Sequence, residues 1–300
     1  MAETTMMALC RARGEARLER RSAPKPARGE AHVRVLLAGV CRTDLYAANG
    51  VLPVAEGRVL GHELVAEVIT SSRFAAGTRV TAYPWIACGS CVECAAKTEC
   101  TSTRVLGVDV DGAFAEELCI DDACLHEVSR ELPLRRAAYI EPIAASLAVR
   151  LPPITRAQRG AVLGAGRIAT LTTRILEHEG FDVRQVATVE ADARGAFDYV
   201  IETNERPLAD AIALVKAQGL VVLKSRPPTS VPFDLAAAVK KQLSFVAVAY
   251  APFAEAIALA ANLEIDDLLG DVYPLLRFAV AFERASEVSS PKLFLEPKGG

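Results

Sequence analysis

The feature that most constrains this chain is a change of pattern near Leu134. From His32 to about residue 130 the apolar segments are short and extended: HVRVLLAGV, LVAEVIT after Gly61, then TRVTAYPW and FAEELCI, each bounded by Gly, Asp or Ser clusters. Beyond Leu134 the spacing turns helical in RRAAYIEPIAASLAVRL, and then alternates through GAVLGAG, IATLTTRILEHEG, FDVRQVA, FDYVIETN, LADAIALVKAQG and LVVLKS. Strands that alternate with helices predict βαβ units on a parallel sheet. The segment DVYPLLRFAVAFERASEVSSPKLFLEP reads as a strand, an amphipathic helix and a last short strand. The expected fold is α/β plus β, with a β-rich domain over 1–145 completed by 271–300 and a doubly wound α/β domain over 146–270.

Charge balance removes several function classes. The 300 residues carry 34 basic and 37 acidic side chains, net −3, so nothing electrostatic favours a nucleic-acid or anionic-membrane partner. The amino terminus becomes charged too early for a secretory signal. The longest apolar region, Phe245 to Leu263, is interrupted by Pro252 and Glu255 and reads as a strand followed by a helix, not a membrane span. A cytoplasmic protein is expected. Of eight cysteines, half fall between Cys88 and Cys100, which points to metal binding in a reducing compartment. Cys10, Cys119 and Cys124 lack ligand spacing and read as ordinary thiols.

Three patterns carry chemistry. Cys88, Cys91, Cys94 and Cys100 can close a tetrahedral thiolate shell around Zn²⁺, and a closed shell is structural because it leaves no position for substrate. Free or bridged thiols in a loop are the alternative. Cys41-Arg42-Thr43-Asp44, followed by Gly61-His62-Glu63, brings together a thiolate, an imidazole and carboxylates suited to a catalytic zinc with an open position. Asp44 would hold the His62 imidazole in its metal-binding tautomer, and Glu141, just ahead of a helix opened by Pro142, offers a further carboxylate. Gly164-Ala165-Gly166-Arg167-Ile168-Ala169 follows an apolar strand and opens a helix, a G-x-G-x-x-A turn that lets backbone approach a pyrophosphate. Lys224 ends a later strand, where ligands gather in parallel sheets.

Together with VLGVDVDGAFAEE, EPIAASLAV, GLVVLKS and FERASEVSSPKLFLEP, these segments resemble the zinc-dependent medium-chain dehydrogenase/reductase family of alcohol and polyol dehydrogenases from about residue 25 onward. The resemblance implies a GroES-like catalytic domain and a Rossmann cofactor domain. It implies one catalytic and one structural Zn²⁺, with NAD or NADP as the hydride carrier. The substrate class it implies is a small alcohol, polyol or amino alcohol, or the matching carbonyl compound. It places Cys41 and His62 as catalytic-zinc ligands, with Glu63 and Glu141 as carboxylates that alternate or assist there. Thr43 matches the proton-relaying hydroxyl, Tyr46 stands where many relatives carry the next relay residue as histidine, and Arg42 matches a position facing the cofactor pyrophosphate, as do Gly164, Gly166, Arg167 and Ile168. A homodimer or homotetramer is the family's usual assembly.

The chain also departs from that pattern. The last two cysteines of the lobe are closer in sequence than is usual. Between FDVRQVA and FDYVIETN only TVEADARGA remains, too little for the customary helix and third strand, and no acidic residue ends the second strand, where Ala187 and Thr188 stand. This shortening raises two alternatives to a redox enzyme: a zinc-stabilised binding or scaffold subunit, and a zinc enzyme of non-redox chemistry.

Overall fold

The computed structural model describes residues 5–96, 100–203 and 208–298. Residues of 1–141 and 269–300 form one compact unit and 142–268 another.

The first unit opens on an antiparallel hairpin, β1 (Thr5–Ala12) and β2 (Glu15–Ser22). Its turn uses Arg13 and Gly14, both at positive φ, the geometry that matches the twist of a tight hairpin. A seven-stranded sheet follows, built on β3 (Glu30–Gly39) and β4 (Glu63–Thr70). In β3 the alternation of EAHVRVLLAG turns Ala31, Val33, Val35 and Leu37 inward while His32, Arg34 and Leu36 are only partly covered. Helix α1 (Arg42–Ala48) leaves β3 directly. Beyond β4 lie β5 (Arg79–Ala82), a small ladder of β6 (Trp85–Ile86) and β7 (Arg104–Val105) around α2 (Val92–Ala95), then β8 (Glu117–Asp121) and β9 (Leu125–Glu127). Two short helices follow, α3 (Leu134–Ala137) and α4 (Ile140–Leu147), the second unit beginning at Pro142 within α4. Glu141 therefore lies inside the first turn of α4 and not ahead of it; Pro142 is tolerated there because first-turn amides have no intrahelical acceptor.

The second unit carries a five-stranded parallel sheet in the order β11-β10-β12-β13-β14. Its strands are β10 (Arg159–Leu163), β11 (Asp182–Val186), β12 (Phe197–Glu202), β13 (Val215–Leu223) and β14 (Ser244–Ala247). Its helices are α5 (Arg167–His178), α6 (Ala209–Leu214), α7 (Leu235–Lys241) and α8 (Phe253–Asn262). Apolar clusters on both faces explain why β10 and β12 read as unbroken apolar runs: Ala161, Leu163 and Val200 meet one cluster, Val162, Tyr199 and Ile201 the other. Only a single 3₁₀ turn, Ala191–Ala193, joins β11 to β12, so the usual third strand and its helix are absent there. One segment differs from its periodicity. VKAQG, helical by spacing, belongs to β13, whose register breaks before Leu220 while Gln218 takes a positive φ of 60°.

The chain's end belongs to the first unit. After β15 (Leu269–Pro274) and α9 (Phe278–Ala285), the last strand β16 (Lys292–Glu296) pairs in parallel with β15 and antiparallel with β3. Leu293 and Leu295 enter the same core as Val33, Leu64 and Phe114.

Candidate active site and dinucleotide turn

Cys41 lies two residues past β3 and caps α1. Its backbone N–H donates to Asp44 Oδ2 at 2.8 Å, the reciprocal hydrogen bond of a capping box, which fixes the direction in which α1 starts. The other Asp44 oxygen, Oδ1, lies 3.3 Å from His62 Nδ1, and both side chains are nearly sealed from solvent. One carboxylate thus sets both the helix and the ring, leaving Nε2 as the imidazole's other nitrogen. Burial alone would push His62 down, but the charges of Asp44 and Cys41 outweigh it and hold the imidazole well above its ordinary value.

Backbone packing behind His62 is just as tight. Gly61 takes φ +95°, and a Cβ on it would meet the Phe114 ring at 2.7 Å. A Cβ on Gly107 would come within 2.6 Å of the Gly61 carbonyl oxygen, and one on Gly112 within 2.7 Å of Leu60 O. Three glycines let the VLGVDVDGAF segment press on the strand entrance that carries His62 and Glu63.

Ligand atoms of Cys41, His62 and Glu63 all lie within 4.8 Å of one another, one soft thiolate, one imidazole and one carboxylate. That donor set suits Zn²⁺ and leaves a fourth position open. Glu141, 5% exposed, stands outside this set, yet it is near enough to act on Glu63. Burial raises the Glu63 carboxyl, Lys292 opposes the rise and Glu141 adds to it, for a net upward shift. The ammonium of Lys292, on β16, forms an ion pair with Glu63 Oε2. Thr43 Oγ1 lies 3.8 Å from Cys41 Sγ. Tyr46, one helical turn beyond Thr43, lines a cavity of about 400 Å³ with Arg42, Leu45, Asn49, Phe282 and Glu283.

The four clustered cysteines also converge within 4.8 Å. Zn–S bonds of about 2.3 Å in a tetrahedron require S–S edges of about 3.8 Å. Cys88 and Cys94 Sγ are 3.9 Å apart, and Cys91 and Cys100 Sγ 3.7 Å. Amides of Cys88 and Ser102 donate to Cys100 Sγ, and that of Cys94 to Cys91 Sγ, as thiolates in a metal shell require. Amide hydrogen bonds from Ser90 and Cys91 bring Cys88 down to about 6. The Cys94 amide draws Cys91 down most strongly, but the Cys94 thiol, desolvation, Glu93 and the Cys88 thiol together outweigh it and Cys91 is pushed up to about 12.

In the second unit, Gly164 leaves β10 at φ +146°, and Gly166 caps α5 with no side chain to occupy the helix's first amides. Amides at such a helix start can face an anion. The turn is held from both flanks. Gly164 N–H donates to Val186 O at 2.9 Å and Gln185 Nε2 to Gly164 O at 3.0 Å, while Thr203 Oγ1 donates to Leu163 O at 2.8 Å. Ala169 is buried against the sheet, and Arg167 and Ile168 are partly buried. Lys224, just past β13, donates its backbone N–H to Glu202 O at 3.3 Å. Beyond β11 come Ala187 and Thr188; the nearest carboxylate in the following chain, Glu190, is exposed.

Reading the sequence passed over two features. One is Lys292, whose signal was a lysine inside an apolar final strand. The other is Glu202, 3% exposed at the end of β12, whose Oε2 accepts the Ser225 hydroxyl at 2.6 Å.

Residues 27–130 match the alcohol dehydrogenase GroES-like domain. L-galactonate-5-dehydrogenase of Escherichia coli K12 is 32% identical over 219 residues, covering 70% of this chain and 63% of that protein. An L-threonine 3-dehydrogenase of Streptomyces avermitilis is 26% identical over 341 aligned positions, 97% of this chain and 99% of its own. The chain spans about three fifths of the length of several curated relatives it matches, that L-galactonate-5-dehydrogenase among them. In fold it is similar to a zinc-binding dehydrogenase from Sinorhizobium meliloti 1021 bound to NADP, with a TM-score of 0.86 over 98% of this chain and all of that one, at 24% identity. With the glycine-backed Cys41–His62–Glu63 set, the four-cysteine lobe and the parallel sheet with its G-x-G-x-x-A turn, the chain belongs to the zinc-dependent medium-chain dehydrogenase/reductase family.

Proposed function

We propose that this protein is a zinc- and nicotinamide-dependent oxidoreductase that moves hydride between a small alcohol, polyol or amino alcohol, or its carbonyl form, and NAD or NADP. The observation that carries the reading is the convergence of a half-buried Cys41 with the buried His62 and Glu63. When bound, Zn²⁺ supplies Lewis acidity to a substrate oxygen and the nicotinamide ring supplies the hydride acceptor or donor. Cys41, His62 and Glu63 hold the metal, with Asp44 fixing the imidazole and Glu141 as a nearby assisting carboxylate. Thr43 takes the carbinol proton at Oγ1, and Tyr46 passes it outward at its phenol oxygen. Amides at the start of α5, with Gly164 and Gly166, hold the pyrophosphate, and Arg42, Arg167, Ile168 and Lys224 are assigned to the same cofactor. Cys88, Cys91, Cys94 and Cys100 hold the structural zinc.

Two further assignments belong to this reading. All eight cysteines are unbridged, as a cytoplasmic location requires; among the described residues no helix is long and apolar enough to cross a membrane. The chain forms a homodimer or homotetramer, a reading supported by the edge strand β14 and the exposed Leu235 and Val239 of α7.

Calorimetry on the zinc-loaded protein with NADH and NADPH, followed by turnover on a panel of alcohols, polyols and amino alcohols, tests the assignment. Cofactor binding and a Cys41→Ala variant without turnover are expected. No binding at millimolar cofactor would overturn it and favour the scaffold role that the shortened sheet allows, whereas turnover without cofactor would favour non-redox zinc chemistry.

A further inference from the structure

Three strands lie side by side where the candidate metal site meets the sheet. In β3, Gly39 is paired with Glu63 of β4 on one flank and with Phe294 of β16 on the other. Residues two apart on a strand share a face, so Lys292 lies on the same side as Phe294, one step along. Its side chain crosses over Gly39 to reach Glu63. A Cβ on Gly39 would stand 2.6 Å from Lys292 Cε and against the Glu63 carboxylate, so the glycine provides the lane in which the two charges meet. Both partners are buried, Lys292 at 1% exposure and Glu63 at 1%. Ionised groups so placed must be neutralised within the protein, since neither water nor a flexible surface position is available to them.

Glu63 also belongs to the set whose ligand atoms lie within 4.8 Å of one another. The same carboxylate therefore has two claims on it, an ammonium supplied by the chain's last strand and the cation that Cys41 and His62 are arranged to receive. A second carboxylate, Glu141, is close enough to be felt at Glu63.

We propose that Lys292 is a positioning residue that competes with the metal for Glu63, so that the ion pair and metal binding at Cys41–His62–Glu63 are negatively coupled. The inference rests on the reading of these three residues as metal ligands. Lys292 keeps Glu63 neutralised while the site is empty and weakens the hold of that carboxylate on the metal when it is filled. The site is thereby stable without metal and leaves its ligand exchangeable. The coupling has a sign. Removing the ammonium frees Glu63 for the metal and at the same time leaves a buried carboxylate unpaired in the metal-free protein.

The test is a chelator competition with Zn²⁺ and Co²⁺ alone on the full chain, in wild type, Lys292→Met and Lys292→Arg, with the absorption of bound Co²⁺ separating the mixed-ligand site from the four-thiolate lobe. Lys292→Met is expected to bind the second metal about tenfold or more tightly, equivalent to about 1.4 kcal/mol, while its metal-free form melts lower and gains more from metal than wild type does. Lys292→Arg, which keeps the charge, is expected to stay near wild type. Unchanged or weakened second-site affinity in Lys292→Met would overturn the proposal, since a purely structural lysine lowers stability equally with and without metal. If that variant does not fold, the ¹⁵Nζ resonance of Lys292 in wild type decides, because Zn²⁺ loading must shift it and a resonance that stays in place overturns the competition. Wild type that takes up metal only at the cysteine lobe would instead refute the ligand reading itself.

Discussion

Around the candidate metal site His62 and Glu63 are each met by a buried charged side chain, while the dinucleotide turn is held at its own main-chain atoms by the Val186 carbonyl and the side chains of Gln185 and Thr203. In the first unit Asp44 ties the start of α1 to His62, three glycines back the strand entrance, and Lys292 meets Glu63 across a fourth. In the second, Gly164 is anchored by Val186 and Gln185, but the end of β11 offers no carboxylate and the strand beyond it is missing. The difference follows from what each ligand demands. A metal shell depends on side-chain atoms placed to a fraction of an ångström, so losing one support loses the site. A pyrophosphate is held by main-chain amides that almost any sequence supplies, so a phosphate cradle survives changes that remove ribose recognition.

The largest expected effect breaks the first half of that contrast. Gly112→Ala puts a methyl group against Leu60 O, Gly107 Cα and the Gly61 carbonyl, all backbone, so no rotamer change relieves it. A loss of about 3 kcal/mol by urea unfolding is expected, together with loss of the second metal equivalent. A tolerated alanine with full metal content would show that the glycine stack does not position His62.

A smaller effect sharpens the second half. Ser225 donates its hydroxyl to the buried Glu202 carboxylate at the end of β12, so Ser225→Ala leaves that oxygen with only the Ser225 amide at 3.3 Å. The expected cost is about 1–2 kcal/mol, and it should vanish in the Glu202→Met background, which has no oxygen to accept the hydroxyl. An equal loss in both backgrounds would mean that Ser225 acts elsewhere.

The same contrast explains what the sequence disclosed. Cys41, His62 and the cysteine lobe were legible because ligand chemistry restricts both residue type and spacing, and the G-x-G-x-x-A turn because positive φ and close packing leave a glycine and alanine signature. The five-stranded sheet was legible as a shortfall, since nine residues between two apolar strands cannot hold a helix and a strand. Lys292 was not legible, because its partner lies far away in sequence and only the pairing of β16 with β3 brings the two together. Nor was the extension of β13 through VKAQG, where a register break overrides helical spacing. Local chemistry leaves a local mark; a buried ion pair between distant strands leaves only an oddly placed charge.

The smallest expected effect tests whether this tight holding of charge extends through the first unit. Asp122 is 4% exposed and accepts hydrogen bonds from the Ser72 hydroxyl at 2.6 Å, the Ser72 amide at 2.8 Å and the Ser71 hydroxyl at 2.7 Å. Burial would raise its carboxyl, but the serine hydrogen bonds prevail and hold it below the ordinary value. An unfolded aspartate titrates near pH 4, so the unfolded chain takes up the proton first as pH falls. The stability Asp122 contributes is therefore fully present above about pH 4 and is lost as pH drops through its lower folded value. Asp267 of the second unit is also lowered, first by its hydrogen bond from Arg174, yet its side chain is 61% exposed and its pairing is open to salt. Asp122→Asn should flatten the acid limb of stability against pH at both low and high salt, whereas Asp267→Asn should flatten it less, and only at low salt. If salt erased both effects alike, the buried serine-held carboxylate of the first unit would be no better insulated than a surface pair, and the contrast between the units would be confined to the metal site.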